Sequence, residues 1–504
     1  MTDVQNFYAG KTILITGVTG YLGQMLLWKL LCSCPDIRCI YVLIREKSGK
    51  LMHERLKNMF DDPIFDQVKE LHSDFETKVK PMKGDTSESD LDISTSDRDI
   101  IEREVEIVFH LAATIRFNSP LRKSTYLNIR SLNVLLDIAK NMRHLKVFVH
   151  VSTAYTPMVK TKHIEEKFYD PPFQAEKFIS LIEHLDDEML DEMTPKFLKT
   201  YPNTYVFTKL ISEDLCREKG SELPLCIFRP GIITNCFKEP APGWINNSYG
   251  IIKFLWGHAV GILKVANAHP NNRTSLIPGD YTTNALILSA YHTCKSWENR
   301  SAEGLMSNPL IINYTSCSGS TKFELTWRKV LDDFSKVAEK YPFPNMISLP
   351  RTRLISNSML CRFVTVFLHQ IPAVVLDTIL VILGKNPRFI KLYKITHEYL
   401  DMVTPFTQQD WTMDIHNINE INAGLSETDK KIFYCDLDDI NIDEYFEVLG
   451  RGIRLYCAKE TEGTVLKAKK RKMMLLILHY VVVALIILIL MYLLMICFNY
   501  FRIF

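Results

Sequence analysis

Short apolar runs alternate with segments of helical period across residues 1–290, and this strand–helix alternation predicts a parallel α/β sheet. The predicted strands are Ile13-Leu14-Ile15, Ile40 to Ile44, a short run closing at Met82-Lys83, Val105 to Leu111, Val147 to Val151 and Pro224 to Phe228. Between the first two, Tyr21 to Leu31 sets Leu22, Met25, Leu26, the Lys29 stem and Leu30 on one helical face. The alternation breaks from Met158 to Thr200, where an acidic run from Glu183 to Glu192 mixes with apolar residues. A helical lid insertion over a substrate and an exposed acidic helix without function both fit that segment. Tyr249 to Leu263 carries Phe254, Leu255 and Trp256 at a spacing that suits either a tunnel wall or plain core packing. From Ser358 the texture turns helical and apolar, with Phe363 to Leu383 interrupted by His369, Gln370, Pro372 and Asp377. A buried charge and a proline's freed carbonyl are costly in hydrocarbon, so this stretch reads as a monotopic membrane-contacting or tunnel-lining hairpin. Met473 to Phe498 reads as a true span: it carries no formal charge and reaches roughly 39 Å as a helix, against ~30 Å of hydrocarbon.

Glycine placement gives the first strand–helix joint a chemistry. In Thr16-Gly17-Val18-Thr19-Gly20-Tyr21-Leu22-Gly23, Gly17 permits a tight turn, Gly20 lets backbone approach a pyrophosphate and Gly23 lets the helix lie close on the strand. Thr19, Tyr21 and Leu22 belong to the same dinucleotide cradle. The second strand ends on Arg45 rather than an acid. A guanidinium can pair with a 2′-phosphate, which favours NADPH, although a solvated loop cation is the alternative. Asp85 is placed to meet an adenine amino group or to serve as a loop carboxylate. Ala112-Ala113 offer small side chains where a cofactor is approached closely, and Arg229-Pro230-Gly231 offers either backbone to the nicotinamide or ordinary turn chemistry.

Ser152-Thr153 follow the fifth strand at its carboxyl end, the edge where ligands of parallel sheets lie. Tyr205 and Lys209 are four residues apart, hence on one helical face and able to enter one cleft. Hydride arriving at a carbonyl carbon leaves negative charge on oxygen, which needs a proton donor and fixed hydrogen bonds. Tyr205 is the expected donor, Lys209 holds the nicotinamide ribose and keeps the phenol acidic, and Thr153, with Ser152 beside it, holds the substrate oxygen. Tyr-x-x-x-Lys also occurs as an exposed amphipathic pair; its order and spacing behind the glycine turn and Ser152-Thr153 give it weight.

Composition narrows the rest. The chain has 504 residues, 47% hydrophobic and 23% charged, an ordinary globular balance with room for about two domains plus extras. A net charge of +2 gives no electrostatic case for nucleic acid. The twelve cysteines include no C-x-x-C pair, and Cys216 and Cys226 fall in predicted core elements, so free buried thiols are expected, with no signal peptide and no thiol-borne acyl intermediate. The fourteen histidines have no zinc-ligand spacing, and no metal is expected. Lys467, Lys469, Lys470, Arg471 and Lys472 precede the span and only Arg502 follows it, so the positive-inside bias keeps the catalytic domain cytosolic. The expectation is a single-pass, tail-anchored protein of the endoplasmic reticulum or the peroxisome.

Together these segments resemble a fatty acyl-CoA reductase of the extended short-chain dehydrogenase/reductase superfamily, over nearly the whole chain. The resemblance rests on Thr16 to Gly23, Leu43-Ile44-Arg45, His150 to Tyr155, Pro202 to Lys209, Arg229 to Ile232 and Pro242-Gly243-Trp244. It implies reduction of a long-chain fatty acyl-CoA to a primary alcohol by two NADPH, with release of CoA and with the hemithioacetal and aldehyde kept bound. Gly231 stands where the family often has Ser, and Thr156-Pro157 where it often has Cys-Asn; both bear on chain-length preference. The implied fold class is α/β: a Rossmann-type doubly wound parallel sheet, followed by a mainly helical C-terminal domain and a C-terminal transmembrane helix. The NADP-binding domain spans 1–290 with its lid near 158–200, the remainder of the substrate region 291–357, the helical domain 358–452, a basic linker 453–472 and the span 473–498. Expected partners are the acyl-CoA and the membrane, with a homodimer as an option. Two other readings stay open: a membrane-bound NAD(P)-dependent hydroxysteroid or sterol dehydrogenase, which would lack the C-terminal domain and the Pro-Gly-Trp segment, and a non-catalytic NADP-binding membrane scaffold, which intact Thr153, Tyr205 and Lys209 oppose.

Overall fold

The computed structural model describes residues 1–47, 49–302, 308–319 and 321–501; Arg502 lies outside the described residues. They form two compact units. The first comprises Met1–Asn247, Asn272–Thr326 and Pro405–Tyr445, the second Ser248–Asn271, Trp327–Thr404 and Phe446–Phe504. The units interleave along the chain, unlike the consecutive blocks expected from sequence. The expected boundary at 290 falls inside one continuous helix, Gly279–Ala302, and Phe406, Trp411 and Met413 are buried in the core of the sheet unit.

In the first unit seven strands form one parallel sheet: β1 Thr12–Thr16, β2 Cys39–Ile44, β3 Val79–Lys83, β4 Ile107–His110, β5 Val147–Val151, β6 Leu225–Pro230 and β7 Leu310–Tyr314. Their spatial order is β7-β6-β5-β4-β1-β2-β3, so the winding reverses between β1 and β4. Ligands of open α/β sheets lie outside the carboxyl ends of the strands at such a reversal. The register brings the candidate residues there together. Thr16 stands opposite both Leu43 and His110, His110 opposite His150, and Val151 opposite Phe228. Gly17, Arg45, Ala112, Ser152 and Arg229 therefore emerge along one edge. β7 was not among the strands the apolar pattern predicts; its run Leu310-Ile311-Ile312 is too short to separate from its surroundings by periodicity.

Helix α1, Tyr21–Ser33, buries Met25, Leu26, Leu30 and Leu31 against the sheet. The break in the alternation is helical: α2, Ala175–His184, and α3, Asp187–Leu198, turn Phe178, Ile182, Leu190 and Phe197 into the core. Two of their acidic residues are ion-paired, Asp187 with Arg122 at 2.5 Å and Glu183 with Arg130 at 3.1 Å, while Glu188, Asp191 and Glu192 are exposed. Helix α4, Thr204–Lys219, follows, with Phe207 edge-on to Phe178.

The second unit is mainly helical. Helix α5, Trp327–Lys340, buries Val330, Leu331 and Phe334, and Phe254 packs edge-on to Trp327, so Phe254 and Leu255 fill this unit's interior. Helix α6, Ser358–Thr365, runs through a π-helical turn, Val366–Gln370, into α7, Ile371–Ile382; α8, Phe389–Thr407, returns. Helix α9, Val465–Phe501, contains the expected span. Two stretches, Ser358–Ile382 and Glu462–Ile496, are long and apolar enough to cross a membrane.

Candidate active site

The glycine turn is built for close backbone approach. Gly17 has φ +75°, and a Cβ there would come within 2.7 Å of the Ala112 nitrogen; a Cβ on Gly23 would meet the Gly17 oxygen at 2.3 Å. Any side chain at either position would push the turn off β4 or lift α1 from it. Gly20 is the N-cap of α1 and supplies no side-chain hydrogen bond, so the first-turn N–H groups point outward uncapped. That arrangement fits a pyrophosphate. Thr16 Oγ1 locks the far wall, accepting from the Ala112 N–H at 3.2 Å and bonding His110 Nδ1 at 2.8 Å. The Tyr21 side chain is not part of the cradle: its hydroxyl donates to the Thr234 carbonyl at 2.9 Å and its ring stacks on Trp244. Tyr21 can serve a ligand only through its backbone.

Beside the cradle lie two guanidinium groups. Arg45 faces Asp85 at 3.5 Å, and Arg55 donates to the Arg45 carbonyl at 2.5 Å and to Thr19 Oγ1 at 3.3 Å. Burial and the neighbouring Arg45 charge lower the Arg55 pKa, with Asp85 opposing. Sequence reading missed Arg55, which sits on a short amphipathic helix, Met52–Phe60, outside every motif. Asp85 is less free than expected of an adenine ligand, because its Oδ1 accepts from the Ser87 N–H and hydroxyl at 2.9 and 2.8 Å.

On the other side of the switch point, Asn203 caps α4 by accepting from the Val206 N–H at 2.9 Å, which starts the helix at Thr204 and puts Tyr205 in its first turn. Tyr205 is half-buried between Phe117, stacked at 5.9 Å, and the Thr153 hydroxyl. Burial pushes its phenol up to about 12, with the Thr153 hydrogen bond pulling the other way. Lys209 is buried, and its Nζ donates to the Val151 carbonyl at 2.6 Å. Burial pushes its ammonium down to about 8, opposed by Glu213. Burial, not the neighbouring ammonium, dominates at Tyr205, and the Lys209 ammonium is turned to the backbone of β5. The phenol stays protonated across the physiological range, the state a donor needs. Beneath Lys209 the stacked imidazoles of His110 and His150 are held neutral by burial and by the Lys209 charge, His110 near pKa 3.

The side chains of Ser152 and Arg229 have another task, which does not bear on the expected backbone contact of Arg229-Pro230-Gly231. Ser152 Oγ donates to Glu213 Oε1 at 2.6 Å, and Arg229 is entirely buried with its Nε and Nη2 on the two Glu213 oxygens at 2.9 and 2.6 Å. Arg229 also donates to the Glu165 and Lys167 carbonyls. Neither side chain is available to substrate or cofactor. Both complete the surroundings of Glu213, one turn beyond Lys209 on the same helical face, and fix where that face sits. Glu213 was itself missed, though Tyr205, Lys209 and Glu213 form an i, i+4, i+8 series visible in the sequence.

An aromatic wall flanks the phenol: Phe117 stacks on Phe406, which meets Tyr155 edge-on, and Tyr155 meets Trp411. Among the described residues no group of three His, Cys, Asp or Glu lies close enough to hold a metal ion.

Residues 15–286 match an NAD-binding family model described as male sterility protein, and residues 368–460 match a second model of the same description. The chain is 35% identical over 470 residues to fatty acyl-CoA reductase 1 of Xenopus laevis, covering 93% of this chain and 89% of that one. It is 32% identical over 469 residues to fatty acyl-CoA reductase wat of Drosophila melanogaster, with 93% and 88% covered. The chain belongs to the fatty acyl-CoA reductase family. This reductase therefore binds a nicotinamide cofactor and acts as an oxidoreductase on fatty acyl groups. Its fold is also that of the terminal R domain from the myxalamid PKS-NRPS biosynthetic pathway, with TM-score 0.56 at 16% identity, over 90% of this chain and 92% of that one. Family membership across the C-terminal segment sets aside the sterol dehydrogenase and scaffold readings. The two departures from the family pattern are held by their surroundings in this reductase. A Cβ on residue 231 would meet the Ser275 carbonyl oxygen at 2.5 Å, which accounts for Gly231, and the fully buried Thr156 donates to Glu213 at 3.1 Å.

Proposed function

We propose that this reductase converts a long-chain fatty acyl-CoA to the primary alcohol with two NADPH, releasing CoA and keeping hemithioacetal and aldehyde bound. The observation that carries it is the juxtaposition of Thr153 and the protonated Tyr205 phenol at the carboxyl edge, beside the glycine cradle and an aromatic wall. When bound, NADPH supplies the hydride. The Thr153 and Tyr205 hydroxyls hold the carbonyl oxygen, and Tyr205 gives it a proton as charge develops. Lys209, charged below about pH 8, holds the cofactor ribose. Collapse of the hemithioacetal breaks the C–S bond and expels CoA as the thiol, and the aldehyde then meets the same donors for a second round. Balance is one acyl-CoA, two NADPH and two protons to one alcohol, one CoA thiol and two NADP⁺. The aromatic wall of Phe117, Phe406, Tyr155 and Trp411 suits an alkyl chain. We assign the catalytic unit to the cytosolic side of the endoplasmic reticulum or peroxisomal membrane, on the basic run Lys467 to Lys472 ahead of a single span.

The preference for NADPH is assigned to Arg45 together with Arg55. Arg45→Ala/Arg55→Ala is expected to lower the NADPH-over-NADH ratio of kcat/KM by about 10–100-fold, the worth of charge-assisted hydrogen bonds to a phosphate. An unchanged ratio would make Arg45 a solvated loop cation.

Lys209 gives a pH signature with opposite signs for activity and stability. Its pKa is lowered from 10.5 to about 8 in the folded state, so between those values the unfolded chain binds more protons and stability rises with pH. Over the same window the ribose-holding charge is lost, and kcat/KM is expected to fall. Activity and unfolding midpoint moving together above pH 8 would contradict this role.

Expression in a host without fatty alcohols tests the whole reading: primary alcohols of long chain should appear in its lipids and vanish with Tyr205→Phe. Fatty aldehyde as the end product would remove the second reduction from the proposal.

A further inference from the structure

In the second unit, thirteen large apolar side chains between Met359 and Leu383 are exposed. Met359 (82%), Phe363 (61%), Phe367 (52%), Ile371 (47%), Val375 (51%) and Ile382 (77%) recur at helical spacing along the outer face of α6 and α7. Exposed patches of this extent on a folded unit mark a binding surface for a partner or a membrane. Two of the polar residues that interrupt the stretch, His369 and Asp377, face the other way, while Gln370 is exposed. His369 is fully buried, with Nδ1 against His397 Nε2 at 2.9 Å and Nε2 accepting the Lys264 N–H at 3.0 Å. Asp377 is buried as the cap of α8, accepting from the N–H groups of Arg388, Phe389 and Ile390 at 2.8, 2.9 and 2.9 Å. Asn267 donates to Ser358 at the root of the hairpin. One face of the hairpin is thus fastened to protein along its length, and a helix so fastened has only its outer face for lipid.

Charge picks the occupant. The turn and the first turns of α8 expose Lys385, Arg388, Lys391 and Lys394, and the sequence has no acidic residue from Thr378 to His397. A cationic rim around an apolar face matches an anionic leaflet, where lysine and arginine stems reach headgroups while the face sinks into the acyl boundary. The root of α9 is fastened to the same unit. Arg471 donates to the Met346 carbonyl at 2.6 Å, and Arg351 lies 3.4 Å from His479, two residues ahead of the strand Arg353–Ile355 that leads into the hairpin. Beyond these anchors the described side chains of α9 between Tyr480 and Ile496 are exposed and apolar.

We infer that the α6–α7–α8 hairpin is a second, monotopic membrane contact that lies on an anionic lipid leaflet on the side of the catalytic unit, without crossing it. This rests on the membrane reading given for α9, and the test separates the two. The full chain is placed in sealed phosphatidylcholine vesicles containing about one-third phosphatidylserine, catalytic unit outward. The phospholipids carry a photoreactive diazirine either near the headgroup or at the acyl terminus, and adducts are mapped by mass spectrometry. The expected result is labelling of 359–383 by the shallow probe several-fold above the deep probe, labelling of 480–496 by both, and trypsin cleavage at Lys385 from outside. The triple variant Phe363→Glu/Phe367→Glu/Val375→Glu, changed only at exposed positions, should lose the shallow adducts and keep those in 480–496. Adducts confined to 480–496 would overturn the inference and leave the α9 reading standing. Deep labelling of 359–383 with Lys385 protected would replace it by a second span, and protection of 359–383 from both probes with dimer formation would replace it by self-association. No adducts in either segment would sink the membrane reading itself.

Discussion

Tyr205→Phe is expected to lower kcat by about 10²–10⁴-fold, the usual worth of a positioned general acid, with the cofactor dissociation constant unchanged. The substitution removes one oxygen. It keeps the ring that stacks on Phe117, the Asn203 cap and the bond from Lys209 to Val151, so a large effect would report the proton and not the fold. Thr153→Val probes the other oxygen ligand and should cost about 10²-fold, in the range of a lost oxyanion donor. Steady-state turnover combined with a cofactor fluorescence titration separates chemistry from binding. Turnover within a few-fold of wild type for Tyr205→Phe would mean that the donor is another group.

The second large effect belongs to stability. Glu213→Gln leaves the Arg229 guanidinium, entirely buried, without its counter-charge, and removing one partner of a buried pair typically costs about 3–5 kcal/mol. Glu213→Gln/Arg229→Met removes both charges and should recover most of that loss. Ser152→Ala deletes a single hydrogen bond to the same carboxylate and should cost about 1 kcal/mol. Apparent melting temperatures at one scan rate give the comparison, since a chain of this size need not unfold reversibly. A double variant no better than Glu213→Gln would show that the pair is not what the residues are held by. Stability of the double variant with impaired turnover would identify Glu213 as a positioning residue for the face that carries Tyr205 and Lys209.

Local signals in the chain revealed the sheet and the cradle because each is dictated by neighbours in sequence. Gly17 must take positive φ and Gly23 must leave room for the Gly17 carbonyl, and both follow from a turn of eight residues. Tyr205 and Lys209 are likewise legible as one turn of a helix. The roles of Ser152 and Arg229 were not, because they depend on a carboxylate sixty-one and sixteen residues away respectively, brought in only by the packing of α4 on the sheet. The direction of the phenol's pKa shift was hidden for the same reason: proximity in sequence suggests a charge effect, whereas burial, a property of the folded unit, dominates. Arg55 carries no motif and enters only through the fold. The interleaving of the units was hidden because nothing in the composition of 405–445 tells that Phe406 and Trp411 pack beneath the sheet's ligand edge.

The proposed function requires one oxygen-binding site to reduce the acyl group twice. Purified full chain, supplied with a long-chain acyl-CoA, gives the direct test by counting NADPH oxidised against CoA thiol released. Two NADPH per thiol, with alcohol equal to thiol and no free aldehyde, is the predicted result; one NADPH per thiol with aldehyde accumulating would contradict it.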